Sequence, residues 1–156
     1  MAAPARLIVD RHEIPHLGAE GQAVELSLRI PTDLQVVEEA VDLVARHCLA
    51  SGVSPRAARF VVRVVLCEAL ANAILYGNRL DPAKTVEVRV HLDNDTVRLH
   101  VRDEGAGFDP TTIPDPTAGD PAGADKGRGL FLIRQLVDDV RFNERGNAIC
   151  MTMRRA

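Results

Sequence analysis

The sequence predicts an α/β domain of two layers, in which helices cover one face of a mixed, mostly antiparallel sheet. Three observations carry that expectation. Apolar and polar residues alternate over Val24–Ile30, Val86–Leu92 and Val97–Val101, the period of half-buried strands. Two runs, from Val36 to Cys48 and from Phe60 to Leu70, repeat at helical spacing instead. A third helical stretch, from about Gly127 to Asp139, leads into a closing pair of short strands.

Taken in order, residues 1–22 mix Pro, Gly, Ala and charge without a clear period and are expected to form an N-terminal arm, loose or tucked in as an edge element. The domain proper is expected over residues 23–155. Its first strand carries Val24, Leu26, Leu28 and Ile30 on one side and ends at Pro31. Thr32 with Gln35 three residues later has the spacing of a capping box, so a helix is expected to start there. Val36, Val37, Ala40, Val41, Val44 and Cys48 give it an apolar face, until Ser51-Gly52 stops it. Ser54-Pro55 opens the next helix, with serine as N-cap and proline at the first helical position. This helix is expected to run to Tyr76, with Gly77 as its C-terminal cap. Phe60, Val61, Val64, Val65, Leu66 and Leu70 leave it little polar face, so it is expected to be largely buried. Thr85–Leu92 and Thr96–Arg102 read as a hairpin over the turn Asp93-Asn94-Asp95. Residues 104–126, with four Gly, four Pro and four Asp, read as a long functional loop. The last hairpin joins Val140–Asn143 to Ala148–Met153 around Arg145-Gly146.

Composition narrows the function classes. At 156 residues, 46% hydrophobic and 26% charged, the chain has the make-up of an ordinary globular domain. It has no Trp, only 3% aromatic residues and a formal net charge of −3, which argues against nucleic acid as a partner. Three cysteines, Cys48, Cys67 and Cys150, are an odd count without CxxC spacing, so neither a disulfide framework nor a zinc site is expected. The bland reading of Cys67 is a small buried apolar residue. No run approaches the roughly 18 consecutive apolar residues of a membrane span, and no signal-peptide core is evident. No membrane association and a cytoplasmic location are the resulting expectations.

Three motifs carry the chemistry. Glu68 and Asn72 are four residues apart on the second helix and share one side of it. A carboxylate and a neutral amide oxygen there suit magnesium bridging phosphates, with Glu68 able to take a proton from a hydroxyl or water. The bland alternative is a solvated hydrogen-bonded pair. Asp103 ends a strand and is followed by Gly105, Gly107 and Phe108. A carboxylate at this place can accept from an exocyclic amine such as adenine presents, while the glycines let backbone approach a base closely. A glycine-rich turn is the alternative. Gly127-Arg128-Gly129-Leu130 stands where the long loop becomes a helix, so free backbone N–H groups can face an anion. Lys126 and Arg128 add positive charge for a terminal phosphate. Alone, this motif reads equally as a hinge.

In this order, the three motifs resemble the N, G1 and G2 boxes of the Bergerat-fold superfamily. That superfamily joins gyrase, the ninety-kilodalton heat-shock chaperone, histidine kinases and mismatch-repair ATPases. The small size and close spacing resemble its branch of anti-sigma-factor serine/threonine kinases, over about residues 23–155. The resemblance implies ATP and Mg²⁺ as cofactors, with Glu68 as catalytic base and Asn72 as magnesium ligand. It implies that Asp103 reads the adenine amine beside Gly105 and Gly107, that Gly127 and Gly129 cradle the phosphates, and that residues 109–126 form an ATP lid. The implied activity is phosphoryl transfer to a serine or threonine of a STAS-type antagonist protein, with a sigma factor or other regulator as competing client and a homodimer as the assembly. Two positions depart from the pattern. Gly146-Asn147 stands where many relatives carry Gly-Thr, and Asp125-Lys126 stands where close kinases carry an arginine, which leaves the γ-phosphate to Lys126 or Arg128.

Rival readings remain. A histidine kinase fragment needs a dimerising helix with a phosphoacceptor histidine, and about 20 residues before the first strand are too few for one; His47 then reads as a surface or interface histidine. His12, His16, His91 and His100 lack metal-ligand spacing. A non-catalytic module of the same fold, sequestering a protein with nucleotide or without it, is the alternative function. A thiol-regulated structural protein built on Cys67 is the third.

Overall fold

The computed structural model describes residues 6–15, 22–108 and 124–156. Six strands form one sheet: β1 (Ile8–Pro15), β2 (Gln22–Pro31), β3 (Thr85–Leu92), β4 (Thr96–Arg102), β5 (Asp139–Phe142) and β6 (Ala148–Arg154), in the order β1-β2-β3-β4-β6-β5. Every described strand pair is antiparallel. Residues 8–15 of the N-terminal segment form the edge strand, paired with β2 from Ile8↔Arg29 to Pro15↔Gln22. Within residues 109–126, where a lid was expected, 109–123 lie outside the described residues.

Three helices cover the other layer: α1 (Val37–Ala50), α2 (Val62–Asn72) and α3 (Ala124–Leu136). Strand periodicity decides which side of the sheet they occupy. Val86, Val88, Val90 and Leu92 of β3 and Val97, Leu99 and Val101 of β4 point to the helices and are 0–2% exposed. Glu87, Arg89, Arg98 and Arg102 occupy the intervening positions and so face the other way. Leu28 and Ile30 of β2 and Met151 and Met153 of β6 extend the same core, against Val44 and Cys48 of α1, Val65, Leu66 and Leu70 of α2, and Ile133 of α3. Each such aliphatic side chain contributes about 1.5–3 kcal/mol by leaving water.

Several local expectations are corrected. Thr32 is not the cap of the first helix. Asp33 takes that role, accepting from the Gln35 N–H at 2.9 Å, because the buried Thr32 hydroxyl donates to the Lys84 carbonyl at 2.6 Å. A short 3₁₀ turn, Leu34–Val36, then leads into α1. Ser54 does cap its helix, accepting from Ala57 N–H at 3.2 Å. That helix carries a π turn at each end of α2, Ala57–Val61 and Ala73–Gly77. It is less buried than its apolar run suggested: Phe60 is 49% exposed beneath the Arg56 guanidinium, and Cys67 is exposed. The reason is the two-layer arrangement, which leaves the outer side of α2 without a covering layer. His47, expected at a surface or interface, is buried in the last turn of α1. The helix α3 begins at Ala124 and ends at Leu136, so Gly127 stands inside its first turn.

The span Ala57–Gly77 is long and apolar enough to match a membrane helix by length and composition. Val62, Val65, Leu66, Leu70 and Ile74 on it are fully buried in the domain core, and that burial accounts for its apolarity.

The residue after β6 closes the domain. The Arg155 guanidinium donates to the carbonyls of Asp93, at 2.6 Å, and Ser51, while its backbone N–H donates to Asp95 at 3.0 Å and its carbonyl accepts from Ser54 N–H at 2.8 Å. Arg155 thus joins the α1–α2 loop to the β3–β4 turn. Arg155→Ala leaves two carbonyls without these donors, an expected loss of about 1–3 kcal/mol. A thermal melt should show a midpoint lower by roughly 3–10 °C.

Candidate functional site

A cavity of about 320 Å³ opens between α2, α3, the loop after β4 and the β5–β6 hairpin. Ala69, Asn72, Ala73 and Tyr76 line it from the helix, with the spacing i, i+3, i+4, i+7 of a single face. Val101, Leu130, Ile133 and Ile149 make its walls apolar, and Asp103 and Asn147 add polar groups. A mostly apolar slot with a few placed polar groups has the make-up of a small-molecule site.

The π turn at the end of the helix brings Gly77 against Asp103. A Cβ at Gly77 would stand 2.3 Å from the Asp103 carboxyl carbon. Gly77 therefore serves a close approach and not the C-cap expected of it; Asn78 ends the helix instead. The next loop is packed as tightly. A Cβ at Gly105 would meet the Gly77 carbonyl oxygen at 2.1 Å, and one at Gly107 would meet the Arg145 carbonyl oxygen at 1.7 Å. Gly107 and Gly146 both take positive φ, +83° and +72°, a region that glycine enters without steric cost. Phe108 lines the cavity and meets Phe142 edge-on, with centroids 5.4 Å apart.

Asp103 is held from three sides. Its Oδ1 accepts from Gly105 N–H at 2.8 Å, its backbone N–H donates to the Asn147 carbonyl at 2.9 Å, and its carbonyl accepts from Asn147 Nδ2 at 3.2 Å. The Asn147 amide is thus engaged: its Oδ1 also accepts from Asn143 Nδ2. Asn147 thus anchors the backbone of Asp103.

The third motif meets the first through space. A Cβ at Gly129 would stand 2.8 Å from Glu68 Oε2 and 3.3 Å from Asn72 Nδ2. Gly129 has no side chain to displace the end of Glu68 from this place. Both are half-buried and neither is enclosed in the core, which corrects the expectation drawn from the apolar run. Glu68 adjoins the cavity next to Asn72 but does not line it. Leu130 is 5% exposed on its wall, and Arg128 is exposed on α3. Lys126 and Gly127 fall in the first turn of α3, whose leading N–H groups lack intrahelical acceptors.

The residues fit a magnesium nucleotide. Gly77 and Gly107 line the cavity together with Asn72, Asp103 and apolar side chains, a lining that suits a nucleotide base with its phosphates toward Asn72. Among the described residues no group of three or more His, Cys, Asp or Glu could hold a metal by itself. Asn72 with a neighbouring carboxylate instead suits Mg²⁺ held jointly with phosphates. The Cys67 thiol, exposed beside this pair, is pushed up from its ordinary value by desolvation first and by the Glu68 charge second. Both effects disfavour the thiolate, which opposes a nucleophilic or thiol-switch reading.

Sequence reasoning missed Gly77, Asn78, Tyr76, Arg79, Lys84 and Phe142 at or beside this cavity. The Ala69-Asn72-Ala73-Tyr76 stripe was readable as one helix face; the others are brought in by tertiary contacts.

Known proteins are similar to part of this chain. The serine-protein kinase RsbW of Listeria innocua is 28% identical over 98 residues, covering 58% of this chain and 62% of the relative. The anti-sigma F factor of Geobacillus stearothermophilus is 34% identical over 86 residues, 51% of this chain and 56% of the relative. That of Oceanobacillus iheyensis is 29% identical over 97 residues, 58% and 66%. The chain thus spans less than two thirds of the length of the first two relatives. Residues 30–153 match the histidine kinase-like ATPase domain, and with the sheet, the helix layer and the three converging motifs this places the chain in that family.

Proposed function

We propose that this domain binds magnesium ATP and phosphorylates a serine or threonine of a STAS-domain antagonist protein, as an anti-sigma-type switch in the cytoplasm. A sigma factor or other regulator is the competing client, and the resemblance extends the proposal to a homodimer. The observation that carries it is the meeting of Glu68, Asn72 and Gly129 at one end of a cavity that has Asp103 in its wall. The relatives named as a serine-protein kinase and as anti-sigma F factors support the same reading.

Bound ATP supplies the phosphoryl group. The chain's own residues do the positioning and the proton work, which is the greater part of catalysis in phosphoryl transfer. Asp103 accepts from the exocyclic amine of the base, and Gly105 and Gly107 allow backbone beside the ring. Asn72 would contribute an oxygen to Mg²⁺. Gly127 and Gly129, which present no side chain, would let the phosphates approach the start of α3, and Lys126 or Arg128 would neutralise the terminal one. Glu68 would take the proton of the accepting hydroxyl as that oxygen bonds to the γ-phosphorus and the bond from that phosphorus to the bridging oxygen breaks, ADP leaving with the electron pair.

Calorimetric titration with ATP, with and without magnesium, tests the binding half. Magnesium-dependent binding is the expected result, and no heat at millimolar ATP would overturn it. Transfer of labelled γ-phosphate to a STAS-domain protein tests the other half. Binding with no transfer to any such protein would replace the kinase reading with sequestration.

A further inference from the structure

Asn78 is 1% exposed, and its side-chain amide lies at a junction of four chain segments. Its Oδ1 accepts from the Glu104 N–H at 2.8 Å. Its Nδ2 donates to the Thr85 carbonyl at 3.0 Å and to Thr32 Oγ1 at 3.1 Å. Thr32 in turn donates to the Lys84 carbonyl at 2.6 Å. The surroundings leave one orientation for the amide. Glu104 presents an N–H and needs an acceptor, whereas Thr85 presents a carbonyl and needs a donor.

These bonds differ in what they hold. The two donated bonds tie the end of β2 to the start of β3, inside the rigid layer. The accepted bond reaches the loop after β4, at the residue immediately following Asp103. Glu104 N–H is flanked by the Asp103 carbonyl, which Asn147 holds, and by Gly105 N–H, which donates to Asp103 Oδ1. The loop also has a more exposed tether, from Thr85 N–H to the Glu104 carboxylate at 2.6 Å. Asn78 is the buried member of the pair, and a buried hydrogen bond in a low-dielectric setting is the more costly one to lose.

We infer that Asn78 is a positioning residue for the Asp103 loop. It fixes the Glu104 amide, and through it the direction of the Asp103 carboxylate, so that base discrimination depends on a residue that touches no part of the cavity's contents. The base-reading part of this inference rests on the nucleotide function proposed above; the part concerning the loop does not. The consequence is a specific one. Removing the Asn78 acceptor should loosen the choice between adenine and guanine nucleotides, beyond what an equal loss of stability would do.

The test compares Asn78→Ala with Thr32→Val, which removes an acceptor of the same amide on the rigid side and leaves the Glu104 bond in place. ATP and GTP affinities are measured by calorimetry, and amide hydrogen exchange is followed in the nucleotide-free protein. For Asn78→Ala the ATP-over-GTP preference should fall by roughly tenfold, the scale of one buried hydrogen bond. Exchange at Glu104 and Gly105 should rise while the amides of α2 and β4 stay protected. Thr32→Val should lower the melting temperature and leave both readouts at wild type. Unchanged preference and exchange in Asn78→Ala would overturn the inference, as would equal changes in Thr32→Val. Should Asn78→Ala not fold, Asn78→Asp keeps an acceptor toward Glu104 and loses the donors. It should destabilise the protein yet hold Glu104 exchange slow, and fast exchange there would sink the inference. If the wild type binds neither nucleotide, the proposed function fails, and the exchange comparison still decides whether Asn78 holds the loop.

Discussion

Replacing Glu68 with Gln is expected to leave magnesium-ATP affinity within about threefold of wild type while phosphoryl transfer falls by roughly 10²–10⁴-fold, the usual weight of a general base. Glutamine keeps the length and the oxygen that packs near Gly129 and loses only the capacity to take a proton. Asn72→Ala should do the opposite at the binding step, because it removes the amide oxygen beside the cavity and leaves the carboxylate in place. Calorimetry and labelled-phosphate transfer on the two variants separate the roles. Normal transfer by Glu68→Gln would end the general-base assignment. Unchanged magnesium dependence in Asn72→Ala would end the metal assignment.

Gly107→Ala is expected to damage both fold and site. Its φ of +83° costs an alanine about 1–2 kcal/mol. The added methyl would also stand 1.7 Å from the Arg145 carbonyl oxygen, which belongs to backbone and cannot rotate away. Relief requires the loop after β4 to separate from the β5–β6 hairpin, which carries Asn147 and hence the anchor of Asp103. A denaturant melt should show a loss of more than about 2 kcal/mol, strain and overpacking together. ATP affinity should fall along with it. Gly129→Ala is the informative contrast. Its nearest neighbour is the far end of the Glu68 side chain, which can swing away, so stability should hold while transfer suffers. Equal stability losses in the two variants would contradict this account of what each glycine is for.

Much of the fold could be read along the chain because the relevant signals are local. Alternation in β3 and β4, and the Asp93 side chain accepting from Asp95 and Thr96 N–H groups, need only neighbouring residues. Ser54 caps its helix for the same reason. Where the reading failed, a distant partner had competed with the local one. Thr32 has the spacing of a cap, yet its hydroxyl goes to Lys84, 52 residues away. Gly77 has the look of a helix stop, yet it is required by a carboxylate 26 positions later. The apolar run through Phe60 and Cys67 suggested full burial, but a run of side chains does not say how many layers will cover it. Residues 8–15 show no strand period of their own; the edge of β2 organises them.

The same division applies to the site. At the site the residue types are legible along the chain: a carboxylate and an amide one helical turn apart, an aspartate before spaced glycines, and two glycines in the opening turns of a helix. Each arises from a short stretch whose periodicity or backbone freedom is set within a few residues. The meeting of Gly129 with Glu68 and Asn72, the hold of Asn147 on Asp103, and the link that Asn78 makes from β2 and β3 to the Asp103 loop all arise from contacts between distant segments. Close approach of backbones and the satisfaction of a buried amide depend on which segments the sheet brings together. Hydrophobic patterning specifies which face is buried, whereas the partners across the buried layer are selected by long-range packing.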